Sequence, residues 1–268
     1  DLVDRSGRQA NGLLRFLGRI PEALAMLTRL EELHPNYSRL FQERGHCYVA
    51  LRALQPAIAA FTRAVTMNPA LPASWDTLRV LFRMNQQPDR ADAAAAQLAR
   101  LAAMPTEIVT ARSMFSDGES QAAEEITRQY LLKRGNHPEA MRLLANIGAA
   151  NEVLDDAEFL LESVLLLAPN DREARHDYAT VLFGRHKYAR ALEELDKLLK
   201  LDPTNSVYRT TYGSTLGGLG RFEQAEQLFR MLLKETPRHE GLHLSIAHVL
   251  KTMGRQDQAV KSYRTAIA

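Results

Sequence analysis

Small and apolar positions recur along this chain with a fixed period. Alanine stands at Ala23, Ala57, Ala91, Ala123, Ala157, Ala191, Ala225 and Ala259, 34 residues apart except for one interval of 32. Leu27, Phe61, Leu161, Leu195, Phe229 and Tyr263 follow four residues later, and Leu30, Ala64, Leu98, Tyr130, Val164, Leu198, Leu232 and Ala266 follow seven later. Offsets of four and seven trace one face of a 3.6-residue helix. The alanine predicts the closest approach of two helices in a hairpin, where a larger side chain would overpack the contact. Pro35, Pro69, Pro169, Pro203 and Pro237 lie twelve residues after an alanine, with Gly135 in that place once, and each predicts a helix stop. A preceding helix carries small residues at Gly45, Ala145, Ala179, Gly213 and Ala247, with Leu78, Leu144, Tyr178, Tyr212 and Ile246 supplying bulk beside equivalent positions. Gly18, Gly118, Gly220 and Gly254 fall between the two helices, where a left-handed turn favours glycine.

The pattern divides the chain into eight helix-turn-helix units: 4–37, 38–71, 72–105, 106–137, 138–171, 172–205, 206–239 and 240–268. Trp75–Leu78–Phe82–Ala91 and Tyr212–Gly213–Leu216–Ala225–Phe229–Pro237 resemble the tetratricopeptide repeat. That resemblance implies an all-α, right-handed superhelix, here a single solenoid over residues 1–268. The fourth unit, two residues short, predicts a local irregularity in the solenoid, with a domain boundary there as the lesser alternative. The last unit stops before its terminal proline, so the chain is expected to be a piece of a longer protein with uncapped ends through which it could self-associate.

Charge is distributed unevenly. The net is +4 over residues 1–103, −7 over 104–171 and +5 over 172–268. A nucleic-acid binder would carry a continuous basic stripe, so none is expected as a partner. No apolar run approaches the ~20 residues of a membrane span. A single cysteine, Cys47, excludes an intrachain disulfide framework and fits a cytoplasmic protein.

In the repeat family the first helices line the concave groove that holds ligands. Carried onto this sequence, the groove columns hold Arg5, Arg8, Arg39, Gln42, His46, Asp76, Arg83, Arg142, Asn146, His176, Asp177, Thr210, Ser214, His248 and Lys251. They suit a protein or peptide partner held by spaced hydrogen bonds and ion pairs. Arg142 and Asn146 resemble the first pair of the family's carboxylate clamp, but Asp177 stands where its second Asn belongs, so the clamp is not expected. His239–Glu240–Gly241–Leu242–His243 spells H-E-x-x-H, a zinc pattern. His239 falls in a turn there, so no metal is expected. No catalytic residue or cofactor is expected either.

Arg134–Gly–Asn–His–Pro–Glu–Ala–Met–Arg–Leu–Leu–Ala145, Leu167–Ala–Pro–Asn–Asp–Arg–Glu–Ala–Arg–His–Asp–Tyr–Ala179 and Ala247–His–Val–Leu–Lys–Thr–Met–Gly–Arg–Gln–Asp–Gln–Ala259 are similar to stretches of bacterial proteins whose repeats are fused to a C-terminal sulfotransferase domain. That implies a non-catalytic arm whose catalytic domain would follow Ala268. A stand-alone adaptor is the alternative, and a zinc hydrolase is the third and weakest reading.

Overall fold

The computed structural model describes residues 18–267; the predicted groove residues Arg5 and Arg8 and the start of the first unit lie outside them. The described residues are all-α, with fifteen helices and no strand. They divide between Gly135 and Asn136 into two compact units.

The first unit holds α1 (Ile20–Leu33), α2 (Ser38–Ala50), α3 (Leu54–Met67), α4 (Pro72–Met84), α5 (Pro88–Ala102), α6 (Thr106–Ser116) and α7 (Ser120–Arg134). The second holds α8 (Pro138–Ala150), α9 (Leu154–Leu167), α10 (Arg172–Gly184), α11 (Tyr188–Leu201), α12 (Ser206–Gly218), α13 (Phe222–Glu235), α14 (Glu240–Thr252) and α15 (Gln256–Ile267). In the second unit each first helix packs on its own second helix and on the neighbouring first helices, and α10, α12 and α14 also pack on the second helix before them.

The alanine column does what its spacing predicts. All eight are 0–1% exposed. Opposite them, Gly45 and Gly213 let aromatic rings approach the backbone. A Cβ on Gly45 would stand 2.6 Å from the Phe61 ring, and one on Gly213 would stand 2.7 Å from Phe229.

The turn between helices is left-handed in all eight units. Gly18, Gly118, Gly220 and Gly254 have positive φ, as do Arg52, Gln86, Glu152 and His186 at the same column. Only the glycines adopt this conformation without strain. The four other positions carry no glycine to mark the turn in the sequence.

The 32-residue interval also has a local cause. α6 has 11 residues, whereas the other described first helices have 13. The two missing residues come from this helix. Its Val109 packs with Ala70 and Leu101. Its end is tied to α2 by Asp117, which accepts from Ser38 Oγ at 2.5 Å and from Asn68 Nδ2 at 3.1 Å. Asn68 is fully buried, and its Nδ2 also donates to the Ser113 carbonyl at 3.0 Å.

Candidate protein-binding surface

The predicted groove residues fare differently in the two units. In the first, Arg39 lies 3.4 Å by Nε from Asp117 Oδ2, and its Nη2 donates to Ser113 Oγ at 3.2 Å. It belongs to the buried cluster joining α2 to α6. His46 meets the Phe61 ring edge-on, with centroids 5.0 Å apart. Gln42 is half-buried on α2, Asp76 pairs with Arg79 on its own helix at 2.6 Å, and Arg83 is exposed in the last turn of α4.

In the second unit the same columns come together across consecutive first helices. Arg142 on α8 is 7% exposed. Its Nε donates to Asp177 Oδ2 at 2.8 Å and its Nη2 donates to Glu173 Oε2 at 2.5 Å, both on α10. Asn146, one turn after Arg142, donates Nδ2 to the same Asp177 oxygen at 3.1 Å. Glu139 stands 3.7 Å from Arg142 Nη1. Burial opposes the charge on the guanidinium, and Asp177, Glu173 and Glu139 outweigh it, so the guanidinium binds its proton more tightly than a solvated arginine. Asp177 therefore fills, from within the chain, the place between Arg142 and Asn146 where a carboxylate would be gripped.

The next step along the column runs from α10 to α12. His176 Nε2 lies 3.0 Å from Thr211 Oγ1, and the Thr211 hydroxyl donates to the Val207 carbonyl. The hydroxyl proton is thus committed, so His176 Nε2 carries the hydrogen. The imidazole also lies 5.3 Å, centroid to centroid, from the Tyr208 ring. Burial lowers its pKa below the usual histidine value, against the pull of Asp177. Thr210 donates to the Ser206 carbonyl, and Ser214 is half-buried. On α14, His248 Nδ1 lies 3.2 Å from the Tyr263 hydroxyl, and Lys251 is exposed. This face therefore passes from an acid-rich end at α8–α10, through hydroxyls on α12, to a basic end at α14.

The chemical decoys resolve into packing. His239 is the N-cap of α14, and its Nδ1 accepts from the Leu242 N–H at 3.3 Å. His243 Nε2 donates to the Pro237 carbonyl at 3.0 Å. That second role recurs: Trp75 and Arg175 occupy the same column and donate to the carbonyls of Pro69 and Pro169, six residues earlier. The two histidines of H-E-x-x-H thus serve a cap and an inter-repeat anchor, and among the described residues no three or more His, Cys, Asp and Glu side chains are grouped as metal ligands would be. Cys47 is fully buried against Leu40 and Ile20. Among the described residues no helix is long and apolar enough to cross a membrane.

Models of the tetratricopeptide repeat match residues 13–72 and 241–268. The chain carries tetratricopeptide repeats. A further family model, described as anaphase-promoting complex, cyclosome, subunit 3, matches residues 150–232 of this repeat protein. No curated protein matches the sequence. Among solved structures, a tetratricopeptide repeat protein from Parabacteroides merdae is 17% identical, with a TM-score of 0.51, over 84% of this chain and 77% of its own. MamA from Desulfovibrio magneticus RS-1, in a form described as 41-end, is 17% identical, with a TM-score of 0.52, over 62% of this chain and 96% of its own. MamA of AMB-1 is 23% identical, with a TM-score of 0.51, over 60% and 96%. These likenesses establish the fold alone.

Proposed function

We propose that this repeat protein is a protein-binding scaffold that holds an extended peptide segment of its partner on the first-helix face of its second unit. The observation that carries this is the continuity of the column from Arg142 through Asp177, His176 and Thr211, where polar groups of successive first helices meet within hydrogen-bond reach. Ser214, His248 and Lys251 continue it on α12 and α14. Such a row of side chains at helix spacing can read an extended segment residue by residue. On this reading the stretch is non-catalytic, takes no cofactor or nucleic acid and works in the cytoplasm.

Arg39 and Arg142 are unsuitable probes of the face, because both are bound into the chain's own ion pairs. The test uses Ser214→Glu, His248→Glu and Lys251→Glu in the full chain, with partner capture compared with a Gln224→Glu control on a second helix. Loss of capture in the first three with the control unaffected supports the face; equal capture in all contradicts it.

The resemblance at Arg134–Ala145 and Leu167–Ala179 supports one particular setting, the arm of a bacterial sulfotransferase. A stand-alone adaptor accounts for the same surface, and self-association through unpaired repeat ends is compatible with either. The sequence of the complete gene separates the two settings: an α/β domain after Ala268 favours the arm, and its absence there favours the adaptor.

A further inference from the structure

We propose that the C-terminal ends of α2 and α4, in the first unit, form a second docking surface that takes an amphipathic helix with acidic residues beside its apolar stripe. This goes beyond the peptide site of the second unit and does not depend on it.

Three apolar side chains stay in water here. Val49 on α2 is 42% exposed, and Val80 and Met84 on α4 are 44% and 66% exposed. The repeat does not require them. In the column of Val80, eleven residues before the alanine of each unit, the other described first helices carry His46, Arg112, Asn146, Thr180, Ser214 and His248. All of these are polar. In the column of Met84 those helices carry only alanine, glycine, serine or threonine.

Val80 and Met84 lie one turn apart on one face of α4. They stand 31 and 35 residues after Val49, the offsets at which Arg142 reaches Glu173 and Asp177 across consecutive first helices of the second unit. Tyr48, beside Val49, packs in the same core cluster as Leu81 and Phe82. Just past the two helix ends, Gln55 donates to Asn85 at 2.7 Å. The three apolar residues therefore form one patch that bridges two helices. At the opposite end of α2, Ser38 and Arg39 are already bound to Asp117 and Ser113 of α6. An i, i+4 pair with a further apolar side chain on the neighbouring helix suits the apolar stripe of an incoming helix.

Charge selects which helix. Residues 44–75 and 77–88 together hold five arginines and no Asp or Glu. Arg44 and Arg63 pair with Glu31, and Arg79 pairs with Asp76. Arg52, just after α2, and Arg83, next to Met84, are exposed, and among the described residues neither has an ion pair or a side-chain hydrogen bond. Two cations at the rim of an apolar patch favour carboxylates on the partner.

The test titrates the full chain with three acetylated, amidated helical peptides. Two share a leucine stripe and carry either Glu and Gln or Lys and Gln at the polar positions; the third is the acidic peptide with alanine in place of leucine. The acidic leucine peptide is expected to bind, and each of the others at least tenfold more weakly. Met84→Gln and Arg83→Gln, both at exposed positions, should each weaken it several-fold. Lys261→Gln removes one exposed positive charge in the second unit and should leave it unchanged, which separates the patch from the general field of a chain with net charge +2. No binding of the acidic leucine peptide, equal binding of the alanine or lysine peptide, or insensitivity to Met84→Gln overturns the proposal. So does a loss from Lys261→Gln as large as that from Arg83→Gln. If the peptide responds to Ser214→Glu and not to Met84→Gln, it occupies the second unit, and the proposal falls while the peptide site stands.

Discussion

Arg142 and Asp177, 35 residues apart in sequence, meet at 2.8 Å across two first helices and join consecutive repeats through a buried guanidinium. Removing the arginine takes away the cation that Asp177 was placed to face. Arg142→Met is therefore expected to destabilise the second unit by about 3 kcal/mol. The double variant Arg142→Met/Asp177→Leu should recover much of that loss, because it removes the partner as well. Chemical denaturation of the four species of this cycle measures it.

The small residues at the helix crossings give a sharp contrast. Gly213→Ala puts a methyl group 2.7 Å from the Phe229 ring and should cost about 1–3 kcal/mol. Gly217, four residues on in the same helix, has only Val249 Cγ2 near its absent Cβ, at 3.8 Å. Gly217→Ala should instead stabilise by about 0.5–1 kcal/mol through helix propensity. Thermal unfolding of the two variants, differing by one methyl group one turn apart, checks both signs.

Glycine is missing from half of the left-handed turns. Arg52, Gln86, Glu152 and His186 hold φ values of 55–63° that a Cβ resists. Replacing any one by glycine should raise stability by up to about 1 kcal/mol. Glu152→Gly is a suitable test because, like the other three, the residue is exposed.

Stability in acid depends on Glu158. Burial works against its ionisation, but hydrogen bonds from Lys187 and Arg185 outweigh burial and hold the carboxyl below its usual range. Such a group contributes its full stabilisation above its unfolded pKa of about 4.3 and loses it as pH falls through the lower, folded value. Glu194, bonded by Lys197 and Arg175, behaves the same way despite its burial. Glu158→Gln should therefore lower stability at neutral pH and flatten the decline below about pH 4.3. Unfolding curves for wild type and variant from pH 3 to 7 give the comparison. A parallel decline in the two proteins would contradict this role.

The H-E-x-x-H histidines should affect stability only. His239→Asn improves the cap of α14 and should be neutral or stabilising, whereas His243→Ala loses its bond to Pro237 and should cost about 1 kcal/mol. Incubation with zinc followed by metal analysis should find no stoichiometric retention.

Much of this architecture was legible in the sequence because close packing tolerates few residue types. The alanine column and Gly213 could be read from spacing, since only small side chains fit those crossings. The role of Arg142 could not. Periodicity assigned it to a polar inner column, and its burial follows from carboxylates supplied 31 and 35 residues later. The Ser38–Asn68–Asp117 cluster was hidden for a related reason. It depends on where the shortened α6 ends, and the repeat pattern carries no information about that departure. Likewise His239 and His243 spelled a catalytic motif, while their register made one a cap and the other an anchor.

Whether the first-helix face of the second unit holds the partner is read out by site-specific photo-crosslinking. A benzophenone side chain is placed in the full chain at Ser214 on the first-helix face, or at Gln227 on the second helix of the same repeat. One specific crosslinked partner is expected from Ser214, and none from Gln227. Crosslinking from Gln227 with none from Ser214 would contradict this placement of the partner.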